Sequence, residues 1–104
     1  MAIALSKARV NYLRKFHHKK TREIEGRYLL EGWHLLEEAL KAGVGIRALI
    51  FDGEREFKEE EKRVFEWASQ SAAEVLEGSA KQLVQIVNTR SSQGVAALVD
   101  RSRS

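Results

Sequence analysis

Five Lys or Arg fall between positions 14 and 22 of this 104-residue chain, Arg14, Lys15, Lys19, Lys20 and Arg22, with His18 among them. Ammonium groups meet phosphates as point charges, and a guanidinium can bind them through two parallel hydrogen bonds, so this cluster suits a phosphate-bearing polymer. Other chemistries find little support. Cysteine is absent, which removes disulfides, thiol nucleophiles and thiolate-bound zinc together. His17 and His18 are adjacent and diverge by about 100° on a helix, and His34 belongs to another element, so the three imidazoles do not make a metal site. No serine sits in a nucleophile motif with histidine and carboxylate, and Ser91-Ser92 beside Arg90 reads as a turn. Gly43-Val44-Gly45 lacks the later glycine and the helix of a dinucleotide fingerprint, and no Walker-type Lys-Ser/Thr follows a glycine-rich loop. Among the carboxylates, Glu31 beside Gly32 is expected to accept from backbone amides at the start of the next helix. Glu37, Glu38, Glu59, Glu60 and Glu61 form surface runs with no partner in a contrasting environment, so paired acid/base work is not indicated.

These side chains must be positioned by a small set of elements. Ser6 can cap a first helix running to about position 18, with Ala8, Tyr12, Leu13 and Phe16 on its packed face and Lys7, Asn11, Arg14, Lys15 and His18 on the other. Arg9 projects near the apolar side, either snorkelling from the rim or reaching a neighbouring element. Residues 19–25 read as a connection, 27–31 as a strand, 33–42 as a helix and 46–51 as a buried strand. A charged helix follows over about 57–72, with Phe57, Val64, Phe65, Ala68 and Ala72 near its inner side. Val75-Leu76 makes a short strand, Ser79 and Gln82 a capping box for a helix whose core face is Leu83, Ile86 and Val87, and 95–99 the last strand. Strands alternating with helices predict an α/β fold, a three-layer α/β/α sandwich on a small central sheet with parallel pairings favoured.

Charge is segregated along the chain. Residues 1–34 carry eight Lys or Arg against three Glu, residues 35–77 six against eleven acidic residues, and residues 78–104 four against Asp100 alone. A basic N-terminal surface suited to polyanions therefore precedes an acidic middle that would repel them. The length fits one domain, and a hydrophobic fraction of 43% with 32% charged residues argues against global disorder. Residues 1–5 are too short for a signal h-region, and no apolar run approaches the roughly 20 residues that span a bilayer. A cytoplasmic protein with no membrane partner is the expectation.

Residues 19–40, KKTREIEGRYLLEGWHLLEEAL, join a basic segment to an apolar strand, a Glu-Gly turn and an amphipathic helix. With the basic helix before it and Ser92-Gln93-Gly94-Val95 after, this arrangement resembles the N-terminal substrate-binding domain of the SpoU/TrmH-type RNA 2′-O-ribose methyltransferases over residues 5–99. The resemblance implies a fold similar to that of kink-turn-binding ribosomal proteins. It also implies recognition of structured RNA, ribosomal or transfer, for a C-terminal methyltransferase domain that binds S-adenosylmethionine. Arg22 would then occupy the basic position before the strand, Tyr28 an aromatic position in it, Glu31-Gly32 the turn, and Gln93-Gly94 the loop before the last strand, where this chain has Ser92 in place of a frequent proline. The implied RNA-binding set is Arg9, Arg14, Lys15, His18, Lys19, Lys20, Arg22, Gln93 and Gly94. Alanine at Lys20 and Arg22 together is expected to weaken RNA binding with stability nearly unchanged.

On this reading residues 1–100 are the RNA substrate-binding domain, and 101–104 a mobile tail or the start of a linker to a catalytic domain that this chain lacks. The chain itself holds no catalytic residue, metal or cofactor, is inactive alone, and would form a homodimer only through the absent domain. Two alternatives stay open: a stand-alone RNA-binding protein similar to kink-turn-binding ribosomal proteins, and a protein-docking module using its acidic helix.

Overall fold

The computed structural model describes residues 2–90 and 92–101. Position 91 of the expected Ser91-Ser92 turn and positions 102–104 of the expected tail lie outside the described residues. The elements run β1 (Ile3–Ala4), α1 (Lys7–Arg14), a single 3₁₀ turn (Lys15–His17), α2 (Lys19–Glu25), β2 (Arg27–Glu31) and α3 (Trp33–Lys41). Then follow β3 (Ile46–Asp52), α4 (Glu59–Ser71), β4 (Val75–Gly78), α5 (Ala80–Val87) and β5 (Val95–Asp100). The five strands form one sheet in the order β1-β4-β3-β5-β2. The expected α/β fold is present, but the sheet is mixed: β1 and β3 flank β4 in parallel, whereas β5 is antiparallel to both β3 and β2.

Two cores lie on opposite faces of this sheet. Leu49, Val95, Ala97 and Val99 point toward Leu36, Ala39 and Leu40 of α3 and Val64 and Ala68 of α4. Ala48, Ile50, Ala96 and Leu98 point toward Val10, Leu13 and Phe16 at one end of the chain and Leu83 and Ile86 of α5. The alternation is that of a sheet covered on both sides, for which strands read as nearly continuous apolar runs. It breaks once. Between Ile46 and Ala48 the register against β5 shifts, so that Ile46 and Leu49 share a face and Arg47 is left outside the ladder. Trp33, Phe51, Phe57 and Phe65 close the α3–α4 side with edge contacts, ring centroids 4.9 Å apart for Trp33–Phe57 and for Phe51–Phe65.

Caps set several boundaries. Ser6 Oγ accepts from Arg9 N–H at 3.1 Å, and Ser79 with Gln82 makes the expected reciprocal box, at 3.2 and 3.0 Å. Gln82 Nε2 also donates to Leu5 O, tying α5 to the residue after β1. Glu61 accepts from Lys58 N–H, and Glu59, Glu60 and Glu61 place negative charge on the first turn of α4, where the helix dipole favours it.

Released from the ladder, Arg47 donates through Nε to Asp100 Oδ1 at 3.0 Å, while Arg27 Nε lies 3.5 Å from the same oxygen. Asp100 at the end of β5 thus bridges β2 and β3. The hydrogen bond from Arg47, with the positive charges of both arginines, holds its carboxyl below the usual carboxylate range, against a smaller opposing effect of burial. A carboxyl depressed in the folded state stabilises the fold above its unfolded pKa of about 4 and loses that contribution as pH falls through the folded value. Asp100→Asn is therefore expected to melt lower than the parent at pH 7 and to converge with it near pH 2. An equal deficit at both pH values would assign the loss to shape instead of charge.

Candidate nucleic-acid interface

The cationic cluster sits on two short helical segments, not on one helix and a connection. α1 stops at Arg14 and tightens into the 3₁₀ turn, His18 is extended at φ −90° and ψ 128°, and a new helix starts at Lys19. α2 buries none of its residues and ends at Gly26 in the left-handed conformation. What holds it is Arg22: its Nη1 donates to Phe16 O at 2.8 Å and to His17 O at 2.9 Å. Those carbonyls belong to the end of a helical run, where intrahelical donors are missing. Arg22 therefore has a structural task, and its replacement by alanine is expected to cost about 1 kcal/mol, chiefly through the part-buried Phe16 carbonyl, since that of His17 is open to water. The expectation that alanine at Lys20 and Arg22 together leaves stability nearly unchanged does not allow for these two bonds of Arg22; Lys20 is exposed and without an ion-pair partner among the described residues.

The residues of the cluster divide into two neighbouring groups. Arg14, Lys15 and His18 border a shallow groove with Asn11, Gln85 and Asn88 at the end of α5. Lys19 and Arg22 border a larger one against β2, and His17 lines both. Lys15, Lys19 and Lys20 are all exposed, and Lys19 has only a weak 3.9 Å pair with Glu23. Arg9 is placed differently. Its guanidinium makes a two-pronged pair with Glu74, at 2.7 and 2.6 Å, joining α1 to the residue before β4. Of the two options left open for Arg9, it is the reach to a neighbouring element that occurs. His17 and Arg101 line the β2 groove without having been assigned to the site from sequence; Arg101 N–H also donates to Gly26 O, so the first residue of the expected tail is tied to the α2–β2 turn.

Gln93 and Gly94 lie at the opposite end of β2. Glu31 Oε2 accepts from Gln93 N–H at 2.8 Å, and Trp33 Nε1 donates to Gln93 O at 3.0 Å. Glu31 does bind a backbone amide, but that of the distant loop, not of the helix that follows it. The Gln93 side-chain amide rests on Gly32, where a Cβ would meet its Oε1 at 2.8 Å. Gly94 has φ +90° and is buried; its Cα faces the Arg55 side chain, its N–H donates to Ser92 Oγ at 2.9 Å, and its carbonyl accepts from Asp52 N–H at 3.0 Å. The close approach at Gly94 is thus made by Arg55. Since Glu31 touches both the β2 groove and this loop, the loop and the cationic segments border one continuous region around the edge of β2 and the end of α5.

The MRM3-like substrate binding domain family matches the chain over residues 7–97. The chain belongs to this family. Its fold is similar to part of an RNA 2′-O ribose methyltransferase, with a TM-score of 0.81 and 27% identity over 99% of this chain and 38% of that one. An AdoMet-bound rRNA methyltransferase from Sinorhizobium meliloti matches with a TM-score of 0.79 and 22% identity over 100% of this chain and 38% of the other. The SpoU methyltransferase AviRb from Streptomyces viridochromogenes gives 0.79 and 20% over 94% and 37%. No curated protein matches the chain. The MRM3-like domain spans less than two fifths of these methyltransferase chains, in keeping with its reading as the substrate-binding domain of SpoU/TrmH-type enzymes.

Proposed function

We propose that this MRM3-like domain recognises structured RNA, ribosomal or transfer, and positions it for 2′-O-ribose methylation by a separate catalytic domain. The observation that carries this reading is the set of exposed cations along the α1–α2 segment, Arg14, Lys15 and Lys20, which have no ion-pair partner among the described residues, with His18 beside them, in a chain of this family. Such side chains meet phosphates along a backbone, and Gln93 extends the same region with an amide able to meet a base edge or a 2′-hydroxyl. Gly94, packed against Arg55, acts by shaping the loop. Arg9 contributes through the placement of α1.

S-adenosylmethionine belongs to the catalytic domain in this scheme, and the residues here do not fit it. In the β2 groove Glu31 is bonded to the Gln93 amide and Glu23 is outnumbered by Lys19, Arg22 and Arg101, so the lining carries net positive charge, which would repel a sulfonium. Any homodimer would form through the catalytic domain. Among the described residues no helix is long and apolar enough to cross a membrane, and a cytoplasmic site of action is part of the proposal.

Anisotropy of a labelled RNA stem-loop across a salt series tests the reading. Four or five phosphate contacts predict a log–log slope of about −3 to −5. RNA affinity indifferent to salt would remove the cationic surface from recognition. Calorimetric titration of the chain with S-adenosylmethionine is expected to give no saturable micromolar binding.

A further inference from the structure

β2 is an edge strand, paired with β5 on one side only. Gly32 N–H donates to Val95 O and Arg101 N–H donates to Gly26 O, which fixes the phase of the ladder. With its two-residue period, Tyr28 and Leu30 turn their backbone groups toward β5, while Arg27, Leu29 and Glu31 turn theirs to the open edge. A groove of about 640 Å³ follows that edge. Phe16, Leu29 and Val87 give it an apolar floor continuous with the core between α1 and α5, and Lys19, Arg22 and Arg101 give it a cationic rim.

We propose that this groove holds an unpaired nucleotide of the RNA, with the base on the apolar floor and the phosphate at Lys19 and Arg101. The inference rests on the RNA-recognition reading and adds to it a second mode of contact: phosphates along α1 and α2, and one extruded base beside β2. Three observations favour this occupant. The volume lies within the roughly 300–1,000 Å³ of small-ligand sites. The outward N–H and C=O groups of Leu29 and Glu31 offer a donor and an acceptor to a base edge, as sequence-reading RNA sites require. The charge is complementary to phosphate: Lys19, Arg22 and Arg101 outnumber Glu23 and Glu31 in the lining, Glu31 is bonded to the Gln93 amide, and Arg22 uses only Nη1 on Phe16 and His17 and keeps Nε and Nη2 outside those bonds. A peptide strand fits less well, because α2 packs against β2 and only three residues of the edge are turned outward.

The test uses the whole chain, isotope-labelled, titrated with single-stranded uridylate and adenylate tetranucleotides, a fully paired RNA duplex, inorganic phosphate and an acidic peptide. The amides of Leu29 and Glu31 are expected to shift with a tetranucleotide and to stay near their free positions with the duplex or phosphate. Arg101→Glu, at an exposed side chain whose backbone bond to Gly26 is retained, is expected to weaken tetranucleotide binding roughly tenfold and duplex binding about twofold. Val87→Glu should act likewise from the floor, while Lys20→Ala lowers both ligands alike. Equal losses for Arg101→Glu on both RNAs would overturn the nucleotide site and leave RNA recognition standing. Equal shifts with inorganic phosphate would reduce the groove to an anion site, and preferential shifts with the peptide would assign it to a protein partner; either result overturns the proposal. Failure of every RNA to bind would remove the recognition reading itself.

Discussion

Replacing Lys15, Lys19 and Lys20 together by glutamate is expected to lower affinity for a structured RNA by about a hundredfold at 0.1 M salt, with the melting temperature shifted by only a few degrees. A unit-charge contact in a high-dielectric setting is worth about 1 kcal/mol, so three lost contacts amount to about 3 kcal/mol, or roughly two decades in affinity. The salt slope should fall by about 3. Stability changes little because all three side chains are exposed and the Lys19–Glu23 pair is a weak surface one. Glutamate at position 19 also places negative charge on the first turn of α2, where the dipole favours it, offsetting the loss of a cation at the end of α1. The control is Lys58 and Lys62 on the acidic α4, where the same reversal should cost little. An equal loss there would mean that affinity follows net charge, not the α1–α2 surface.

The exposure of those three lysines was readable from sequence because such side chains have no competing demand. The fold was readable for a related reason: α3, α5, β3 and β5 carry apolar patterns that match their burial, and Ser79-Gln82 is a local cap that any context preserves. What escaped lacks such a pattern. β1 is two exposed residues, a strand only because β4 offers it an edge. α2 buries nothing, so no periodicity marks KKTREIE as a helix; Gly26 in a stop position is its one local signal. α1 ends four residues short of the expected position 18, because Lys15, Phe16 and His17 continue its apolar pattern in a tighter turn. Mixed pairing in the sheet could not be read at all, since β3 and β5 are apolar on both faces whichever way they run.

Side-chain tasks were legible only where partners are close in sequence or absent. Arg22 bonds carbonyls five and six residues back, but only because α2 folds against the 3₁₀ turn. Arg9 meets Glu74, 65 positions away, and Glu31 meets Gln93, 62 away; nothing local announces either pair. Arg9 is the instructive case. Its net charge enters the same basic tally as Lys15 and Lys20, yet its guanidinium is committed to a carboxylate and adds far less field at the surface.

The largest effect on folding is expected at Gly32, where strand passes to helix. Its φ of +106° and ψ of 157° fall in a region essentially confined to glycine, and a non-glycine residue held there costs about 1–3 kcal/mol. The backbone has no easy escape: Gly32 N–H donates to Val95 O at 3.1 Å and its carbonyl accepts from Leu36 N–H at 3.1 Å, so relaxing φ would give up either the sheet bond or the first bond of α3. An added Cβ would also lie 2.8–3.0 Å from the Gln93 amide. Gly32→Ala is thus expected to cost about 3 kcal/mol, lowering the melting temperature by roughly 10–20 °C for a domain of this size. Gly26→Ala provides the comparison, since its φ of +66° lies in the ordinary left-handed region with open space around the added carbon, and about 1 kcal/mol should result. In the Gly32→Ala, Gln93→Ala double variant the collision disappears and the backbone strain stays, so only part of the loss should return. Full recovery would mean that packing against Gln93, not conformation, dictates glycine at position 32, and a cost no greater than that at Gly26 would show that the turn can relax without giving up its bonds to β5 and α3.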